Sequence, residues 1–238
     1  MKDKAVLVTG VGRGLGQAIA EVCLKSGARV YGFEREQALV AEAKQKWALF
    51  GDNAQIVQLD VRDEAAVINY FASVAHLDTL INNAGIARKK PFLETTSEEF
   101  DEIIEVNLKA AFVVMREAAR KMFRRGGHII NIVSDSGLMG MKTMASYSAS
   151  KHGLLGLSRS ARLELREHNI RVTAFCPGSI STDIFGNGKP NPAAMSVKAV
   201  ASLVVYLADM PPEIEVQEIL LEPMTLVEER YLQLRTLA

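Results

Sequence analysis

The chain has 238 residues, of which 48% are hydrophobic, with 28 basic against 28 acidic side chains and no formal net charge. That much apolar surface can bury the core of one large α/β domain, expected over 1–238, and is not the composition of a disordered chain. The balanced charge gives no field to draw nucleic acid or an anionic membrane surface, so a small-molecule partner is expected, with no nucleic acid and no membrane. The opening residues enter a strand-like run without a charged leader before a removable apolar stretch, and no apolar run reaches membrane-spanning length. A cytoplasmic location is the resulting expectation.

Short apolar, β-branched runs fall at 4–9, 29–33, 55–60, 79–82, 128–133, 171–175 and 218–222. Helical patterns fall between them at 15–26, 35–47, 64–74, 100–123, 147–167 and 197–208. Most of the apolar runs do not alternate with polar residues, which suits parallel strands buried on both faces. Strand–helix alternation on this scale predicts right-handed βαβ units in one doubly wound α/β sheet of seven parallel strands. Gly, Pro and Asn cluster over 177–192, where a functional loop is expected, while 226–238 reads as a short helix or a packing tail. Cys23 and Cys176, far apart in apolar contexts, are expected as buried free thiols, and the four histidines show no ligand spacing, so no metal is assigned.

The first strand runs into Thr9-Gly10-Val11-Gly12-Arg13-Gly14-Leu15-Gly16, directly before a helix. Glycines at such a turn permit positive φ and let the backbone approach a pyrophosphate held by helix N-terminal amides. Tight packing alone also produces Gly-rich strand–helix turns. Glu34 stands where an acidic side chain would accept hydrogen bonds from an adenosine ribose, or simply begins a solvated helix. Asp60 and Val61 follow the third strand, beside an adenine or as a helix cap. Asn83-Ala84-Gly85 follows the fourth, passing a ribose or making a plain turn. Four successive strand ends thus carry ligand-type residues at the edge where open α/β sheets bind ligands.

Tyr147 and Lys151 are four apart and share one helix face. A nearby ammonium favours a phenolate, so the pair makes a proton donor and acceptor beside a cationic anchor. Ser134, or its neighbour Ser136, offers a hydroxyl to a substrate oxygen that gains charge. Asn107 is a poor helix former inside the 100–123 pattern. It either makes a structural polar contact or marks a helix break that aims it at Lys151.

These motifs, with Pro177-Gly178, occur in the order and spacing of the short-chain dehydrogenase/reductase family, which the chain resembles from about residue 3 to 222. The resemblance implies a Rossmann fold with strand order 3-2-1-4-5-6-7, and hydride transfer between NAD or NADP and a carbonyl or secondary alcohol. In it, Tyr147 is the catalytic acid/base and Ser134 positions the carbonyl. Lys151 holds the nicotinamide ribose and lowers the Tyr147 pKa, while Asn107 supports a water-linked proton relay. Pro177, Gly178, Ile180 and Thr182 would flank the nicotinamide. Glu34 favours NAD, whereas Arg13 and Arg35 favour NADP; NAD is the expected cofactor. A 3-oxoacyl or related small, partly apolar substrate is expected; Met139, Met141 and Met144, with Phe185, either line an adaptable pocket for it or, for each Met, simply pack in the core. Arg125 matches one of two basic positions that dock an acyl carrier protein in relatives, and His168 holds the other. A homodimer or homotetramer built on 100–123 and 147–167 is expected by analogy. The alternative is a nucleotide-sensing binding protein of the same fold without turnover, which would be expected to lose Ser134, Tyr147 or Lys151. Two departures stand out: Leu221-Glu222-Pro223-Met224 replaces a Gly-Gly pair, and Gly12 stands where relatives carry Ser or Ala, removing a side-chain contact to the cofactor.

Overall fold

The structure, a computed structural model, describes residues 1–184 and 193–224; the expectations for Phe185 and for 226–238 lie outside the described residues. Seven parallel strands form one sheet: β1 (Ala5–Thr9), β2 (Arg29–Glu34), β3 (Ala54–Gln58), β4 (Thr79–Asn82), β5 (Gly127–Ile132), β6 (Ile170–Pro177) and β7 (Glu218–Leu221). Their order is β3-β2-β1-β4-β5-β6-β7, as the resemblance implies. The order reverses between β1 and β4, and the register there pairs Val8 with Ile81, so the two strands end side by side. Ligands of open α/β sheets bind at such a reversal, beyond the carboxyl ends of the strands.

The helices are α1 (Gly14–Lys25), α2 (Gln37–Trp47), α3 (Glu64–Ser73), α4 (Ser97–Ile104), α5 (Ala111–Met122), α6 (Ala145–Leu165) and α7 (Val197–Asp209). The period of two along each strand decides which helices it holds. Val6 and Val8 share a core with Ile19 and Cys23 of α1 and Val200 and Val204 of α7. Leu7, between them, faces the other side, with Val67 and Phe71 of α3 and Val113 and Val114 of α5. A buried Leu, Ile or Phe on either face contributes roughly 1.5–3 kcal/mol, so both helical layers are held by the same continuous apolar runs that revealed the strands.

Several borders differ from expectation. Glu34 is the last residue of β2 rather than the start of a helix, and β3 stops at Gln58, which leaves Asp60 in the loop. Asp60 does not cap α3; Asp63 does, accepting from the Ala66 amide. Ser134 lies two residues beyond β5, and α6 begins at Ala145, two residues before Tyr147. The single helix expected over 100–123 is three pieces: α4 starts at a capping box between Thr96 and Glu99, and a π-helical segment at Glu105–Ala110 separates it from α5. Cys23 and Cys176 are free and buried. No described helix is long and apolar enough to cross a membrane.

Candidate active site

The carboxyl edge of the sheet opens into one cleft of about 840 Å³. That is large enough for a cofactor and a small substrate together. At one end, α1 starts from Gly14, whose φ is +60° and whose missing side chain would point toward Thr182. The N-cap residue, Arg13, makes no side-chain cap, and no acidic residue stands in the first turn. The first amides of α1 are therefore left to a phosphate-bearing ligand. Gly16 serves a different need: a Cβ there would sit 2.1 Å from the Gly10 carbonyl oxygen, so α1 could not lie this close to β1.

Thr9 and Asn83 clamp the reversal point. The Thr9 hydroxyl accepts from the Asn83 and Ala84 amides at 2.9 Å each, and Asn83 Nδ2 donates to the carbonyls of Thr9 (2.9 Å) and Gly10 (3.3 Å). Asn83 lines the cleft, but its amide is committed to the backbone of β1, which makes it a brace for the cofactor wall. Asp60 and Val61 also line the cleft; the Arg62 guanidinium grips Asp60 and holds its carboxyl below the usual range. Glu34 lines it too, with its carboxylate accepting from the amides of Gly12, Arg35 and Glu36. Gly12 lies behind that carboxylate and does not face the cleft, so the expected loss of a cofactor contact there is corrected: a side chain at 12 would meet Glu34.

Ser134, Tyr147 and Lys151 come together at the other end, all buried. Tyr147 is 8% exposed, and burial pushes its phenol up to about 12, which a hydrogen bond with Ser134 only partly offsets. Lys151 Nζ donates to the Ile132 carbonyl at 2.9 Å and lies 5.7 Å from the centre of the Tyr147 ring. Burial pushes the ammonium down to about 8. Desolvation is the largest influence on the phenol, and the same burial disfavours the ammonium. The Ser134 hydroxyl donates to Asp135 Oδ1 at 2.8 Å and accepts from the Ser136 amide at 3.1 Å.

Asn107 sits in the π-helical break, fully buried, and its Oδ1 and Lys151 Nζ both approach Gly85, 3.2 and 3.7 Å from where a Cβ on that glycine would fall. Its Oδ1 accepts from the Ile86 amide at 2.8 Å, and its Nδ2 donates to the Ile86 carbonyl at 2.9 Å and to Ser150 Oγ at 3.1 Å. Ser150 Oγ in turn donates to the Tyr147 carbonyl at 2.7 Å. Asn107 therefore ties the loop after β4 to the first turn of α6 and holds Tyr147 in place through Ser150. Pro177, Gly178, Ile180 and Thr182 line the cleft, as do Met141 and Met144, whereas Met139 does not. Arg125 and His168 precede β5 and β6, at the edge of the sheet opposite the cleft, and the His168 ring stacks on Phe123 at 3.7 Å. Thr9, Ser150 and Asp135 escaped the sequence reading; a buried polar residue ending an apolar strand was the available signal for Thr9, and i+3 spacing from Tyr147 for Ser150.

Comparison with known proteins matches residues 4–192 to the family model for short chain dehydrogenases. A 3-oxoacyl-(acyl-carrier-protein) reductase of Aquifex aeolicus is 36% identical over 193 residues, 77% of each chain. An L-rhamnose 1-dehydrogenase (NAD(P)(+)) of Azotobacter vinelandii is 37% identical over 195 residues, covering 76% of this chain and 75% of the relative. A serine dehydrogenase solved in closed form with NADP+ superposes with a TM-score of 0.84 at 29% identity, over 91% of this chain and 93% of that one. The chain accordingly belongs to the short-chain dehydrogenase/reductase family and is an NAD(P)-dependent oxidoreductase of CH–OH groups.

Proposed function

We propose that Tyr147 is the acid/base of this oxidoreductase, with Ser134 and Lys151 as its partners. The observation that carries this is their convergence in the cleft that also holds the uncapped start of α1. When bound, the nicotinamide supplies the hydride in reduction and accepts it in oxidation. The buried phenol stays protonated through neutral pH and delivers its proton to the carbonyl oxygen as charge develops there. Ser134 turns its hydroxyl from Asp135 to that same oxygen. Lys151 uses one N–H on the Ile132 carbonyl, which fixes the ammonium and leaves two for ribose hydroxyls. Tyr147→Phe is expected to lower turnover by roughly 10²–10⁴ while leaving cofactor binding within about twofold. Unimpaired turnover in that variant would overturn the assignment. A non-catalytic sensor is the weaker reading, because the three groups it would dispense with are all present and buried.

NADH is the proposed cofactor. Glu34 places a carboxylate at the cleft wall, where a 2′-phosphate would be repelled. Arg13 and Arg35 each stand 3.9 Å from Glu36, which partly neutralises them. Initial rates with each cofactor test this: saturation at far lower NADPH than NADH sinks it. The substrate proposed is a small, partly apolar carbonyl compound of the 3-oxoacyl kind, against Ile86, Val106, Met141 and Met144. Phe100 and Phe112, 40% and 41% exposed, offer a face for homodimer or homotetramer assembly, which light scattering would read as two or four times the 26.0 kDa chain mass.

A further inference from the structure

Gly12 is not in the left-handed region of the backbone, so an alanine could adopt its conformation. What a side chain there would meet is Glu34. An ideal Cβ on Gly12 falls 2.5 Å from Glu34 Oε2 and 2.8 Å from Glu34 Cδ, with Leu39 Cβ also at 2.8 Å. Leu39 Cβ is fixed to α2, whereas the Glu34 carboxyl ends a flexible side chain, so the carboxyl yields first and the loop gives slightly beside Leu39. In the native arrangement Oε2 accepts from the Gly12 amide at 2.8 Å, while Oε1 accepts from Arg35 and Glu36 amides at 2.8 and 3.0 Å. These three bonds hold the carboxylate of the buried Glu34 at the cleft wall, which Arg13 and Arg35 also line.

We infer that Gly12 is a positioning residue for cofactor choice: its missing side chain seats the Glu34 carboxylate, and a side chain at 12 displaces that carboxylate and shifts preference toward NADPH. The inference rests on the NADH reading of Glu34. Length matters to it, because a glutamate carries its carboxylate one methylene further than an aspartate and so reaches the residue 12 amide. An aspartate at 34 stops short of that amide and removes the carboxyl contacts of a methyl group at 12, leaving Leu39 Cβ as the close neighbour to which the loop must adjust. Residues 12 and 34 are therefore coupled, and the effect of Gly12→Ala depends on which acid occupies 34. With the carboxylate displaced, Arg13 and Arg35 face the ribose with Glu36 alone to balance them.

The test is a double-mutant cycle on the full chain: wild type, Gly12→Ala, Glu34→Asp and the double variant, each titrated with NADH and NADPH by cofactor fluorescence, with thermal unfolding of the cofactor-free proteins alongside. Gly12→Ala is expected to change the NADPH/NADH dissociation-constant ratio by about tenfold in favour of NADPH, and by less than about twofold when Glu34→Asp is already present. Equal weakening of both cofactors, or the same ratio change in both backgrounds, overturns the inference. If Gly12→Ala alone does not fold, recovery of its melting temperature in the Glu34→Asp background upholds the clash, and no recovery overturns it. The NADH reading fails separately, if the wild type binds NADPH more tightly and Glu34→Gln leaves that ratio unchanged.

Discussion

Ser134 combines chemistry with backbone strain. Its φ of 143° and ψ of 160° fall in a region that favours glycine, and a side chain held there costs of order 1–3 kcal/mol. The conformation sets the hydroxyl against Asp135 and the Ser136 amide at the cleft wall, next to the Tyr147 phenol. Ser134→Gly and Ser134→Ala both remove the hydroxyl, but only glycine relieves the backbone. In urea unfolding the glycine variant is expected to be more stable than the alanine variant by about 1 kcal/mol, after allowing for the greater freedom of glycine in the unfolded chain. Both are expected to lose turnover. An alanine variant as stable as the glycine variant would remove the case for strain at this residue.

At the scale of elements, the strands were legible, and the helix break only as one of two readings of Asn107. Parallel strands buried on both faces are continuous apolar runs, and β4 was read with its observed borders for that reason. The helical period, by contrast, continues through Glu105–Ala110, so local pattern joins α4 and α5 into one helix. The side chain of Asn107 in that break is held at Ile86, 21 residues away in sequence, and at Ser150, 43 away; spacing along one helix carries no trace of either. Asn107→Ala is expected to orphan both the amide and the carbonyl of Ile86, and so to cost about 1–3 kcal/mol in urea unfolding. Turnover should fall with it, because Ser150 then loses the partner that steadies the first turn of α6. Asn107→Asp keeps an acceptor for the Ile86 amide and should lie between the two. A stability of Asn107→Ala equal to wild type would mean that this tie does not hold α6 in place.

For the whole molecule, a dependence of stability on acid is expected from His128, at the start of the inner strand β5. The residue is 3% exposed; its Nε2 lies 2.8 Å from Thr173 Oγ1, and its Nδ1 has no hydrogen-bond partner among the described residues. Thr173 Oγ1 donates to the Val216 carbonyl, so it accepts from Nε2–H, and Nδ1 is the buried lone pair. Burial pushes the imidazole down to about 3 from its ordinary 6.5. Below pH 6.5 the unfolded chain binds a proton that the folded chain refuses, so stability is full above that value and falls as pH drops toward 3. The slope reaches about 1.4 kcal/mol per pH unit. The depressed carboxyls of Asp60, Glu117, Asp209 and Glu218 start from ordinary values of 3.8 to 4.5, so their protonation adds its effect at lower pH. The interval from pH 6 to 5 therefore separates this histidine from those carboxyls. His128→Gln, which keeps a donor for Thr173, is expected to flatten the fall in urea-unfolding stability over that interval; an unchanged slope would assign the acid sensitivity elsewhere. By itself the sequence determined the sheet, its ligand-binding edge and the residue types gathered there, because strand runs, glycine spacing and strand-end residues are local properties. Only the tertiary structure decided that Asn83 bonds the carbonyls of Thr9 and Gly10, that Asn107 bonds Ile86 and Ser150, and that Gly12 lies against Glu34. Each of these depends on burial or on a partner across the fold, and neither is written in the spacing of neighbours.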